Sequence, residues 1–215
     1  MTTIAFKKNL LPFLGFISGA FSVICQWVIM LSRASANETS LVTETVRYYS
    51  YMTVWTNIMV TLCFGAVSVF AIHKWSAFFR RKSVQAATVV YILIVGLAYH
   101  FLLSGMFHPK GIEWFADFLL HYVNPIFFTG FWLWQGEKEP FDYVKAVQWL
   151  IFPAAYFMYS ITRGFFTGWY PYYFVDVNTL GYGQVLVVSG FLMIGYAILG
   201  TLVIFSARKI SGLKA

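Results

Sequence analysis

Apolar residues dominate the chain in six runs, 10–31, 50–72, 85–105, 117–135, 144–163 and 184–206. Each is close to the ~20 residues that a helix needs to cross a bilayer. The pattern predicts an all-α, polytopic membrane protein with six transmembrane helices, forming a single domain over 1–215. The fourth and fifth runs are the weakest, because they carry Asp117, His121, Pro125, Lys145 and Pro153. A membrane helix tolerates proline only where the freed backbone groups are satisfied in another way. Four or five spans is therefore the alternative count. Gly15 and Gly19, with Ser18 and Ser22, give the first run a small-residue face that lets another helix approach closely.

Composition narrows the class. The chain is 60% hydrophobic, 21% aromatic and 11% charged, with a mean hydropathy of +0.69. That leaves too little polar surface for a water-soluble enzyme, a nucleic-acid module or a disulfide scaffold. The net charge of +7 sits at the ends of the apolar runs. With the amino terminus inside, Lys7, Lys8, Lys74, Arg80, Arg81, Lys82, Lys138, Lys145, Arg208, Lys209 and Lys214 face the cytoplasm. Arg33, Arg47, Lys110 and Arg163 fall outside. This is the asymmetry of the positive-inside rule. It predicts a multi-pass cell-membrane protein with both termini cytoplasmic, the bilayer as its surroundings and no nucleic-acid partner.

Lys7 and Lys8 before an apolar run, with Ala34-Ser35-Ala36 after it, resemble a secretory signal. The run is longer than a signal core and Arg33 separates it from the supposed box, so it is expected to remain as a span. Cys25 and Cys63 lie in runs at different depths, so neither a disulfide nor a metal site follows.

Strongly polar side chains inside spans are costly and mark function unless a structural partner accounts for them. Here they are Thr53, Thr56, Asn57, His100, Asp117, His121, Asn124 and, at a span end, Arg163. Counting from the predicted outer boundaries at ~1.5 Å per residue places Thr53, His100 and His121 roughly 5–7 Å deep. Arg163 ends the fifth span at the same face. Helix ends that gather ordinary polar residues give the plainer explanation of this layer.

Acyl transfer suits such a layer. A threonine hydroxyl becomes a nucleophile when a neighbouring base takes its proton, and burial favours the neutral form of an imidazole. Thr53 and His121 form the candidate pair. Asp117 lies four residues before His121 on the same helical face, where it is able to hold the ring; its alternative role is a helix N-cap. Pro125 lacks an N–H for the carbonyl of His121. Asn57 and Asn124 are candidate oxyanion donors or, equally, interhelical hydrogen bonds. His100 is a further supporting candidate. The loop after the fifth run holds Trp169, Tyr170, Tyr172 and Tyr182 and reads as an aromatic belt or as contacts to a lipid head group, with Arg163 beside it.

Three blocks carry a resemblance: Tyr51-Met52-Thr53-Val54-Trp55-Thr56-Asn57, Leu120-His121-Tyr122-Val123-Asn124-Pro125, and Trp169-Tyr170-Pro171-Tyr172 with Tyr182. Together with the six-run layout they resemble bacterial members of the androgen-induced-gene (FAR-17a/AIG) type of integral membrane proteins. Animal members of that group are intramembrane threonine hydrolases that cleave fatty acid esters of hydroxy fatty acids. The resemblance implies Thr53 as nucleophile and His121 as base. The interval from His121 to Pro125 is one residue shorter than in animal members, and Arg163 stands where they carry histidine. The resemblance thus implies a shared fold with room for a different substrate.

The leading expectation is a hydrolase of lipid esters, with a membrane lipid or lipid-like ester as partner, no cofactor and no metal. The alternatives are a transporter or lipid-binding protein using the same polar layer, and a b-type haem protein ligated by His100 and His121. Against transport, no span centre carries a charged side chain. Oligomeric state is not encoded in these patterns.

Overall fold

The computed structural model describes residues 3–212, with side chains from residue 10 onward. The side chains of Lys7 and Lys8, and Lys214, which contributed to the orientation argument, lie outside the described residues. Among the described residues every regular element is helical, with no strand. Three helices are long and apolar enough to cross a membrane: Leu10–Ala36, Lys82–Leu103 and Val177–Gly212. Leu41–Tyr48 and Met52–Val67, bent by 69° at a short break, pass together as a fourth. The other two runs are helical as well, but in shorter pieces.

In chain order the elements are α1 (Thr3–Ala36), α2 (Leu41–Tyr48), α3 (Met52–Val67), α4 (Ser76–Phe79) and α5 (Lys82–Ala98). A π turn (Tyr99–Leu103) ends α5. Then come α6 (Gly111–Phe118), a second π turn (Leu119–Val123), α7 (Asn124–Trp134), α8 (Val144–Trp149), α9 (Ile151–Thr167), a 3₁₀ turn (Tyr173–Val175) and α10 (Val177–Gly212), which is interrupted at Gly181. Ser40 caps α2, its Oγ accepting from the Thr43 N–H.

The chain divides into two compact units. The first holds α1, α2, α3 from Thr53, and α4 to α7. Its centre is Phe64, whose ring meets those of Phe127, Phe128 and Phe131 at centroid distances of 5.4, 5.1 and 5.1 Å. The small-residue face of α1 lies against α3. A Cβ on Gly15 would stand 2.5 Å from the Phe64 ring, and one on Gly19 would strike the Thr61 hydroxyl. At the other end of α1, Arg33 pairs with Glu113 in the first turn of α6. Glu113 is buried, and its Oε1 has no hydrogen-bond partner among the described residues.

The second unit holds Ser50–Met52 and the chain from Lys138 onward. Here α8 and α9 both pack on α10. Arg208 on α10 donates from Nε to the Phe141 carbonyl at 2.8 Å and covers the Tyr143 ring. The Ser50 carbonyl accepts from the Tyr156 hydroxyl at 2.8 Å, which ties the short incoming segment to α9. Gly168 ends α9 in the left-handed region, φ 67°, with its N–H returned to the Gly164 carbonyl. A residue with a Cβ is strained there.

Candidate functional site

Pro125 is the local cause from which the site is built. It has no N–H to offer the preceding turn, and its ring crowds that turn. Over Leu119–Val123 the helix widens into a π turn, in which the Asn124 N–H bonds to the Leu119 carbonyl five residues back. In this register the carbonyl facing Pro125 is that of Leu120, not that of His121 as the spacing of a regular helix suggests. Asn57 on α3 supplies the missing donor, with Nδ2 3.2 Å from the Leu120 oxygen. The break is thus compensated inside the protein, as an apolar environment requires.

The same Asn57 Nδ2 donates to the Thr53 carbonyl at 2.9 Å. One side-chain amide therefore joins the backbone of the two segments that carry Thr53 and His121. Its Oδ1 accepts from Asn124 Nδ2 at 2.9 Å. Asn124 also donates to Ser22 Oγ at 3.0 Å and accepts from Ser18 Oγ at 2.7 Å. Asn57 and Asn124 are both buried. Each nitrogen already donates to two protein oxygens, so these amides join α1, α3 and α7 rather than face a substrate. Ser18 and Ser22, read from sequence as packing residues, are their anchors.

His121 is buried on the π turn. Its Nδ1 lies 3.0 Å from the Asp117 carbonyl and 3.1 Å from Asp117 Oδ1. Both partners are acceptors, so Nδ1 carries a proton, and Nε2 lies at the opposite edge of the ring. Asp117 lies near the end of α6, whose N-cap is Lys110, so the capping role considered for it does not hold. Its second oxygen, Oδ2, accepts from the Tyr99 hydroxyl. The Tyr99 ring stacks on the His121 ring with centroids 3.8 Å apart and planes 12° from parallel. Tyr99 was invisible in the pattern because a tyrosine in an apolar run reads as hydrophobic.

His100, next in sequence, turns away from this cluster. It is exposed and its Nδ1 pairs with the Tyr122 hydroxyl at 3.2 Å. Thr53 is buried at the start of α3, one turn before Asn57.

The remaining candidates belong to the second unit. The Arg163 guanidinium stands 4.5 Å over the Trp169 ring, and Nη1 donates to the Trp169 carbonyl at 3.3 Å. It straps the loop after α9 to that helix. The Tyr51 ring meets Trp169 and Tyr172 edge on, at 5.8 and 5.5 Å, and Tyr172 stacks on Phe174. Tyr170 folds back over Gly164, where a Cβ would collide with its ring. Burial pushes the Tyr170 phenol above its usual range, and the nearby Tyr182 and Asp176 add to this. Tyr182 itself is exposed. Compared with known protein families, curated proteins and solved structures, the chain matches none.

Proposed function

We propose that the chain is a six-span membrane protein with both termini cytoplasmic, and that it hydrolyses lipid esters within the outer part of the bilayer. Thr53 is the nucleophile and His121 the base. The observation that carries this reading is the setting of His121: a buried imidazole whose Nδ1 is held by two acceptors of Asp117, its backbone carbonyl and its carboxylate. That is the arrangement a hydroxyl nucleophile requires of its base. The Asn57 bridge between the Thr53 and Leu120 carbonyls and the resemblance to FAR-17a/AIG-type threonine hydrolases add support.

In the first half-reaction His121 Nε2 takes the Thr53 hydroxyl proton as Oγ attacks the ester carbonyl. The C–O bond to the alcohol then breaks, the alcohol leaves with the proton from Nε2, and Thr53 carries the acyl group. In the second, water gives a proton to Nε2 and attacks the acyl carbonyl. The carboxylic acid leaves and Thr53 Oγ regains the proton.

The test is hydrolysis of a mass-tagged long-chain ester by the purified protein in detergent, beside Thr53→Ala and His121→Ala at equal folded yield. Wild type is expected to turn over, and both variants to lose at least about a hundredfold. An inactive wild type across chain lengths, or variants at the wild-type rate, overturns the assignment. Reporter fusions at both ends and in each loop test the span count.

A further inference from the structure

Tyr99 carries no chemistry of its own in the proposed reaction, yet it makes two specific contacts with the residues that do. Its hydroxyl donates to Asp117 Oδ2, while the other oxygen of the same carboxylate receives Nδ1 of His121. Its ring lies flat on the imidazole that this carboxylate holds. The three side chains close a loop: phenol to carboxylate, carboxylate to imidazole, imidazole against the phenol ring. All three are buried.

The backbone is shaped to allow this. Tyr99 opens one π turn and His121 lies within the other. Gly96, one turn before Tyr99, faces the His121 carbonyl, where a Cβ would sit 3.0 Å from the oxygen and 3.5 Å from the Pro125 ring. Without that glycine α5 would stand farther from the second π turn and the rings would separate.

We propose that Tyr99 is a positioning residue for His121: by fixing the Asp117 carboxylate and stacking on the imidazole, it holds the ring in the Nδ1–H tautomer with Nε2 presented as base. A carboxylate without the phenol turns about its own bond and no longer offers one oxygen to Nδ1. An imidazole without the stacked ring gains freedom to rotate. Either change leaves the Asp117 carbonyl as the one fixed acceptor for Nδ1, a weaker hold that lets the Nε2–H tautomer compete, and that tautomer has no lone pair on the atom that must take the proton. The kinetic arm of this inference rests on the hydrolase reading; the tautomer itself does not.

The experiment uses the full chain in lipid nanodiscs with ¹⁵N-labelled histidine, with His121→Ala assigning the signals. Wild type is expected to show His121 as a single neutral tautomer protonated on Nδ1. Tyr99→Phe, which keeps the ring and removes the hydroxyl, is expected to show a mixture, as is the near-isosteric Asp117→Asn. Ester hydrolysis by Tyr99→Phe is expected to fall about tenfold in kcat with KM unchanged, the scale of one hydrogen bond to a charged group. A wild-type tautomer in either folded variant overturns the proposal, whatever the rate. A tautomer change in a protein that hydrolyses no ester overturns the hydrolase reading and leaves the positioning role standing. Hydrolysis together with an unchanged tautomer does the reverse.

Discussion

The amide of Asn57 and the carbonyl of Leu120, 3.2 Å apart, form the contact through which α3 repairs the helix break made by Pro125. The donor of one helix completes the backbone of another, so α3 contributes directly to the stability of the second π turn.

Removing that donor has a calculable cost. Asn57→Leu leaves the Leu120 carbonyl and one Asn124 N–H unpaired in a buried place, at about 1–3 kcal/mol for each such group. Measured membrane side-chain bonds are weaker, about 0.6 kcal/mol on average. We expect a net loss of about 2 kcal/mol, read as a lower midpoint in denaturant titration of the detergent-solubilised protein. Thr56 still bonds to the Thr53 carbonyl at 3.1 Å, so that end of the bridge loses less.

Gly96→Ala sets two effects against each other. Alanine stabilises a helix interior by about 1 kcal/mol over glycine. The new methyl group, 3.0 Å from the His121 carbonyl, forces α5 outward at about 1–3 kcal/mol. Thermal unfolding is expected to change little, while fluorescence or NMR of the Tyr99–His121 region reports a displaced stack. An unaltered stack would show that α5 has slack at this point.

Gly15→Ala gains the same helix propensity, but the obstacle it meets is closer and less able to yield. The Phe64 ring that its Cβ would meet at 2.5 Å is confined by three further phenylalanines. Overpacking of this kind costs about 1–3 kcal/mol. Phe64→Leu in the same chain is expected to recover part of the loss, which a double-mutant cycle measures directly.

The Arg33–Glu113 pair is asymmetric. Arg33 is more than half exposed, whereas Glu113 is buried with one oxygen lacking a hydrogen bond among the described residues. Arg33→Ala strands a carboxylate, and Glu113→Gln removes its charge. We expect Arg33→Ala to be the more destabilising, by about 1–2 kcal/mol, and the combination with Glu113→Gln to recover most of it. Equal losses in the two single variants would place the stabilisation in packing instead of charge.

The all-helical class follows from the apolar runs, since chain length and hydropathy are collective properties that do not depend on any one contact. The close approach of a helix to Gly15 and Gly19 was legible for a similar reason: small residues one turn apart leave space whatever fills it. The identity of α3 as the neighbour was not, because spacing along α1 says nothing about its partner. The site was legible in part. Asp117 and His121 share a face at four residues, and they do meet. His100 stands out in an apolar run as a polar ring and Tyr99 does not, yet the structure places Tyr99 against His121 and His100 against Tyr122. The π turns decide this, and a single widened turn leaves no periodic mark in a sequence. α2 lay hidden as well, since Leu41–Tyr48 mixes Thr, Glu and Arg with its apolar residues and falls in the stretch before the second apolar run, where no span is expected.

A π turn is an α-helix carrying one residue more than its pitch accommodates, and two of them flank the stack of Tyr99 on His121. Helical phase, about 100° for each residue, is therefore what aims these two side chains at one another. Chains that kept every polar residue but lost one position within 99–103 or 119–123 would return to a regular pitch and turn the stack apart. In this part of the molecule residue count is as much a determinant of chemistry as residue identity. Insertions and deletions of a single position, harmless in a loop, act here as substitutions of Tyr99 and His121 themselves.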